Sequence, residues 1–584
     1  MSFRLVCRSP TLQRSLAFCP ARTLASSTRS APRPAFFNAH RLTRIGLASG
    51  AIVAASLFYG HTQSTIHADA ALANERANLS ERPRTPLSTL IRTYVVYAMC
   101  SIPPLVDYSP AILAALLSIP GIKQITEAAV RITFFNQFVG GDTAEDTIPV
   151  MEQLRAENKG CIFVYSVEVD EEEAAGNVRE DTKSAELAHK QIVTETIHCV
   201  DVAADFEDRY TSGVSGRRTW VAVKLSAMLP SSESLLNLSK HLVATRPLTS
   251  PRVAFPGCPL PADLDILDAQ TPPGPLTPGD VAALRELRAD LHAICSRAKQ
   301  RGVRIVIDAE HSWYQPAIDA LCLDLMREFN KLPQPPKKSQ SLWFGSSPAP
   351  VVSPAVQPLI YNTYQAYLHR TPEYLTQSIA AAHAGGYALG VKLVRGAYHP
   401  HEVSSHTAAA NPSSAEHSHS LSISPEALPP VWLTKPETDA CFNSCAAQLV
   451  GLIRADVAAG APSPTIGVML GTHNWESTDL VLRELVRQGL AKEQGGVVHI
   501  PDEVTERISL GQLYGMHDAL TNHLVDRTRC SSPFVLKYTP YGNLSDVMPY
   551  LSRRAIENKS VLGNGGAAVE RQRAAKEIRE RFFG

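Results

Sequence analysis

The 584-residue chain predicts an α/β fold closed as a (β/α)8 barrel, and three observations carry that prediction. Eight short apolar, β-branched runs recur along it, helical patterns separate them, and no GxGxxG follows any run. Such alternation predicts a parallel sheet with helices outside it, and eight strands close a barrel. A doubly wound open sheet shares the alternation, but its dinucleotide-binding version lacks the glycine fingerprint.

Residues 84–158 read as helices, from LSTLIRTYVVYAMCSI through SPAILAALLSI and IKQITEAAVRITFFNQFV to TAEDTIPVMEQLRAENKG. The eight runs then follow as CIFVYSVEV (161–169), WVAVKLSAM (220–228), RIVIDAEH (304–311), LIYNTYQAY (359–367), LGVKLVRGAY (389–398), TIGVMLGTHN (465–474), ERISLGQLYG (506–515) and FVLKYTPYG (534–542). Between them lie helical patterns such as DVAALRELRADLHAICSRAKQRG and ESTDLVLRELVRQG, the latter with Gly in a stop position. The barrel is expected over residues 159–562, with Pro- and Ser-rich surface insertions at 246–278, 332–358 and 403–430. Residues 563–584 are expected as a C-terminal tail.

The last helix of the barrel region, DVMPYLSRRAIENKS (546–560), carries Tyr550, Arg553, Arg554 and Glu557. Spacings of i, i+3, i+4 and i+7 put all four on one face. Val547, Met548, Leu551 and Ala555 occupy the neighbouring arc, by which the helix can dock and present the polar quartet.

Composition narrows the function. The chain is 44% hydrophobic and 19% charged, with 56 basic and 56 acidic residues, so it offers no electrostatic case for nucleic acid. Eleven cysteines without a CxxC pair read as scattered, reduced thiols rather than a disulfide frame or zinc site. His399, His401, His406, His417 and His419 cluster in the third insertion without HExxH or helical spacing, and no metal is expected there.

The first acidic residue is Asp69, and residues 1–44 are rich in Arg, Ser and Ala. That is the composition of a mitochondrial transit peptide, a disordered basic tail being the alternative. IGLASGAIVAASLFYG (45–60), within an apolar run and linker spanning 45–83, is uncharged and slightly short of a bilayer span. It reads as an inner-membrane anchor or as a hydrophobic part of the presequence, and residues 1–80 are excluded from the fold.

Barrel chemistry gathers at the C-terminal strand ends. There the sequence places Lys224, Asp308 with Glu310, Gln365, Lys392 with Arg395, Thr472–His473–Asn474, and Tyr514. An ion pair of Lys224 with Asp308 has a purely structural explanation; polar residues at six strand ends do not. Aromatic walls are expected from Tyr514, Tyr541 and Tyr550. Paired arginines on a helix suit a carboxylate, and donors around a planar ring suit a flavin. The residues alone therefore point to a small carboxylate substrate and leave room for a cofactor, without fixing redox chemistry.

FVGGDTAEDTIPVMEQLR, VKLSAM, IDAEHSWYQPAID, YQAYLHR, VKLVRGAY, GTHN, GQLYGM and YLSRRAIENK, in that order over about 135–560, resemble proline dehydrogenase in its eukaryotic mitochondrial form. The resemblance implies a distorted (β/α)8 TIM-like barrel holding FAD noncovalently at its mouth, with the final helix over the strand ends. By it, Arg553 and Arg554 hold the proline carboxylate, and Tyr550 and Tyr514 pack on the ring. Lys224 lies by the substrate and pairs with Asp308, an active-site position, and Glu557 lies near the amine or forms a salt bridge within its helix. Lys392 matches the residue facing flavin N5, where bacterial relatives carry Arg. Ala309, Gln365, Arg395, Gly396, Ala397, Thr472 and His473 match flavin-contacting positions.

The implied reaction oxidises L-proline to Δ1-pyrroline-5-carboxylate, with electrons passed to quinone on the matrix side of the inner mitochondrial membrane. Hydroxyproline dehydrogenase, of the same family, is the nearest rival; its members carry Ser where this chain is matched with Tyr514. A flavin-free Schiff-base lyase using Lys224 or Lys392, or a membrane-tethered proline-binding protein, are the rivals from other classes.

Overall fold

The computed structural model describes residues 85–166, 182–247, 250–269, 274–333, 356–410, 420–460, 463–559 and 566–583. The transit peptide, the 45–60 run, most of the 332–358 insertion, His417 and His419 lie outside these residues.

The helices that lead in include α1 (Leu87–Cys100), α2 (Ser109–Leu117) and α3 (Ile122–Val130). The strands follow as β1 (Lys159–Tyr165), β2 (Thr219–Val223), β3 (Ile305–Ile307), β4 (Ile360–Gln365), β5 (Leu389–Val394), β6 (Ile466–Gly471), β7 (Ile508–Leu513) and β8 (Val535–Tyr541). Each pairs in parallel with the next, and β8 closes on β1. All eight expected runs become barrel strands in chain order.

The strands are shorter than the runs, and several stop where a polar residue of the site begins. β2 ends one residue before Lys224, β3 before Asp308, β5 before Arg395 and β6 before Thr472. The apolar run records burial, whereas the ladder ends where the backbone turns into the loop that carries the site.

Barrel closure sorts each strand by a period of two. Ile162, Trp220, Val306, Tyr361, Met469 and Leu536 fill the interior, with Tyr538 packed against them. The opposite faces pack on the helical layer, which starts and stops by the usual chemistry. Thr277 and Asp280 form a capping box on helix Pro278–Arg301, and Gly302 ends it at φ 68°. Asn474 of GTHN caps helix Trp475–Arg487 by accepting the Ser477 N–H at 3.0 Å, so that residue serves the fold.

After β8 the chain returns as α4 (Met548–Lys559) and α5 (Gly566–Phe583). Residues 563–584, expected as a tail, thus carry a helix, and α5 packs along α1. Its Glu570 is buried and accepts the Ala519 N–H at 3.1 Å. The 246–278 insertion is likewise tied down: Phe255, Leu264 and Leu267 are buried, and Arg246 binds Asp263 at 2.5 Å.

Candidate functional site

At the C-terminal end of β3, Asp308 is held from two other strands. Lys392 of β5 donates to its Oδ1 at 2.6 Å and the Tyr538 hydroxyl of β8 donates to its Oδ2 at 2.7 Å. The Lys392 ammonium also lies 5.2 Å from the Tyr538 ring centroid. Asp308 thus has in Lys392 a partner that the sequence did not suggest. The positive charge of Lys224 also acts on buried Glu310, opposing the upward pKa shift that burial gives that carboxyl. Ala309, between Asp308 and Glu310, is half-buried.

Around this centre sit the residues matched to cofactor contacts. Gln365 is buried and donates through Nε2 to the Glu310 carbonyl at 3.1 Å. His473 accepts the Leu513 N–H at Nε2, 3.2 Å away, so its ring proton resides on Nδ1. Burial, then His517, Lys537 and Arg554, push the His473 pKa well below the usual imidazole value, and the ring is neutral. Gln365 Oε1 and His473 Nδ1 are both buried and without a hydrogen-bond partner among the described residues. One acceptor and one donor left open at the ends of β4 and β6, with β5 between them, fit the polar edge of a bound ring system.

Arg395 is occupied by protein. It donates to Asp439 at 2.6 Å, Thr472 Oγ1 at 2.7 Å and Ser477 Oγ at 2.8 Å, and its guanidinium lies over the Phe442 ring. Gly396 has φ 123°, and a Cβ there would lie 2.5 Å from the Tyr367 ring. Its glycine is thus required by Tyr367 as well as by backbone geometry. Ala397 is exposed.

α4 lies over the strand ends. Arg554 influences His473 after β6, and Arg553 influences His311 after β3. Arg554 is 4% exposed, binds Glu557 at 2.6 Å and stacks at 4.8 Å over buried Tyr550. Arg553 lies 5.7 Å from the Tyr398 ring centroid. For Glu557 the structure has the salt bridge within the helix.

Two expected aromatic walls face elsewhere. A Cβ on Gly511 would meet Met469 and Ile162 inside the barrel, so alternation turns Gln512 and Tyr514 outward. Tyr514 accordingly lines a cavity with Arg92, Lys159, Asp518, Lys537 and Arg573, outside the barrel, where burial pushes its phenol up to about 12. Tyr541 also points to the helical layer and bonds Glu195 at 2.8 Å. The tyrosines at the mouth are Tyr538 and Tyr398, which sequence reasoning missed. Alternation on FVLKYTPYG was the available signal, since Tyr538 must oppose Lys537, whose ammonium is buried outward on the Met516 carbonyl.

These features define a closed (β/α)8 barrel whose mouth is capped by an arginine-bearing helix. The proline dehydrogenase family matches residues 150–564, and the chain belongs to that family, whose members are flavin oxidoreductases. It is 28% identical to proline dehydrogenase 1, mitochondrial, of Dictyostelium discoideum, over 85% of this chain and 73% of that protein. Identity is 27% to proline dehydrogenase 2, mitochondrial, of Arabidopsis thaliana, covering 87% and 91%. It is also 27% to hydroxyproline dehydrogenase of Rattus norvegicus, covering 85% and 91%. Among solved structures, proline utilization A of Bdellovibrio bacteriovorus is similar with a TM-score of 0.49 and 16% identity. That match covers 85% of this chain and 38% of the larger one.

Proposed function

We propose that this chain oxidises L-proline to Δ1-pyrroline-5-carboxylate. FAD, once bound, would supply the hydride acceptor, and quinone at the matrix face of the inner mitochondrial membrane would take the electrons onward. The observation that carries the reading is Arg553 and Arg554 on a helix above the Asp308–Lys392–Tyr538 cluster. The guanidinium groups supply charge and donors for the substrate carboxylate, and Tyr398, Tyr538 and Tyr550 supply ring faces. A carboxylate fixed at that end orients the ring carbons toward the strand ends, where Gln365 and His473 offer their open polar atoms to the cofactor. Forming the imine removes a hydride from C5 and a proton from nitrogen. Lys392 keeps a positive charge beside the site, favourable for a cofactor that gains electron density.

Hydroxyproline is the second substrate reading, because relatives of equal identity bear that name. The deciding experiment is one anaerobic titration of the purified protein with each substrate. Bleaching of a flavin band by proline at much lower concentration than by hydroxyproline supports the proposal. The reverse order assigns hydroxyproline, and a colourless folded protein overturns both.

A further inference from the structure

Seven of the sixteen large apolar side chains exposed among the described residues fall within residues 102–132. No charged residue occurs from Tyr108 to Ile122, a stretch that includes all of α2. On α3 and the turn after it, Ile122, Ile125, Ala129 and Ile132 form one stripe at helical spacing. Ile125 and Ile132 are 71% and 66% exposed, while Thr126, at the edge of the stripe, is buried. The flanking charges are paired, Lys123 with Glu127 and Arg131 with Asp142. A contiguous apolar face of this kind on a folded protein marks an interaction site.

We propose that this face docks in the interface of a lipid bilayer as a monotopic anchor, its isoleucines reaching the acyl boundary. α2 has nine residues, about 13 Å of helix against a hydrocarbon core of about 30 Å, so it lies in the interface rather than across it. Ile and Ala without a central Arg or Trp suit acyl chains better than a protein hot spot. The paired charges suit zwitterionic headgroups and predict binding that salt does not remove. The uncharged 45–60 run is separated from Thr85 by 24 residues of the same chain. Lys559 of α4 pairs with Asp107 at the start of this face, and Ile556, one turn earlier on α4, is 49% exposed beside it. The docked surface therefore borders the helix that caps the barrel mouth. An oxidant dissolved in lipid would meet that rim directly, a consequence that rests on the quinone reading above.

The test is flotation of the full chain, in complex with its flavin, with phosphatidylcholine vesicles at low and high salt and without any acceptor. Three forms are compared: wild type, a chain lacking residues 45–60, and Ile112→Asp/Ile125→Asp/Ile132→Asp. The triple variant is expected to lower vesicle partitioning by at least about tenfold at both salt levels. Flavin content and proline oxidation with a soluble dye should stay unchanged. Partitioning that survives the triple variant but vanishes on deletion of 45–60 overturns the proposal. So does a vesicle-free dimer that the triple variant turns into a monomer while partitioning stays the same. Because no quinone is present, binding that depends on this face stands even where vesicle-borne quinone is later found not to be reduced, which would sink only the acceptor reading.

Discussion

Lys392 Nζ lies 2.6 Å from Asp308 Oδ1, so a single carboxylate joins β3 to β5 while its other oxygen takes the Tyr538 hydroxyl of β8. Both charged side chains are 11% exposed, and neither charge is well solvated. Such a pair holds the mouth in one geometry, and its members are unequal to lose singly and together.

Asp308→Asn should therefore destabilise the protein more than Asp308→Asn/Lys392→Met. The single change leaves a buried ammonium uncompensated, costing about 3–5 kcal/mol, whereas the double change removes the charge too. Thermal unfolding of the flavin-bound proteins measures the order. A double variant less stable than the single one would mean that Lys392 is held by something other than Asp308.

Tyr538 and Tyr514 make opposite predictions. Tyr538→Ser removes both a ring at the mouth and a donor to Asp308, a bond to a charged group worth about 1.5–3 kcal/mol. Proline kcat/KM should fall by at least about tenfold, and the proline-to-hydroxyproline ratio should move. Tyr514→Ser should leave that ratio unchanged, because its ring lines a cavity outside the barrel. A ratio that responds to Tyr514 instead would overturn the outward placement.

Most of the barrel was legible because burial and periodicity are local properties of a run. The register of a side chain within a run is not, and there the reading failed. Tyr514 and Tyr541 stand beside glycine at the ends of their runs, where a mouth position looks natural; only the neighbours of Gly511 and Lys537 reveal which face they share. The bond from Lys392 to Asp308 was equally hidden, since only barrel closure brings β3 and β5 side chains together across the mouth. The fate of Arg395 depends on Asp439 and Ser477, which lie on helices far along the chain. By contrast, the face of α4 was readable, because i, i+3, i+4 spacing survives any tertiary context.

That face supports a prediction about Arg554. Arg554→Met should raise the proline KM about ten- to hundredfold with flavin retained, since one charge-assisted bond is removed. Glu557→Gln should act more weakly, because it loosens Arg554 through the 2.6 Å bond without removing the guanidinium. Equal effects of the two changes in KM and kcat would show that Glu557 itself meets the substrate.

The last prediction concerns Glu402, just before the third insertion, whose carboxyl is pushed up to about 7 by burial despite bonds from Ser312 and Tyr367. It accepts the Ser312 N–H at 2.7 Å and so fastens helix His399–Ala410 to the loop after β3, next to His311 and the site. The folded protein keeps this proton where an unfolded glutamate, near 4.5, has lost it. The stability the group contributes is fully present below about pH 4.5 and is lost as pH rises through about 7. Across that interval the loss is on the order of a few kcal/mol. Glu402→Gln keeps an acceptor for the Ser312 N–H but cannot ionise, so its unfolding midpoint should decline less between about pH 5 and 8. At the upper end the variant should be the more stable of the two. Chemical denaturation of both proteins across that range measures the difference. Parallel pH profiles would mean that Glu402 is ionised throughout and that the anchor beside the site is a charged one.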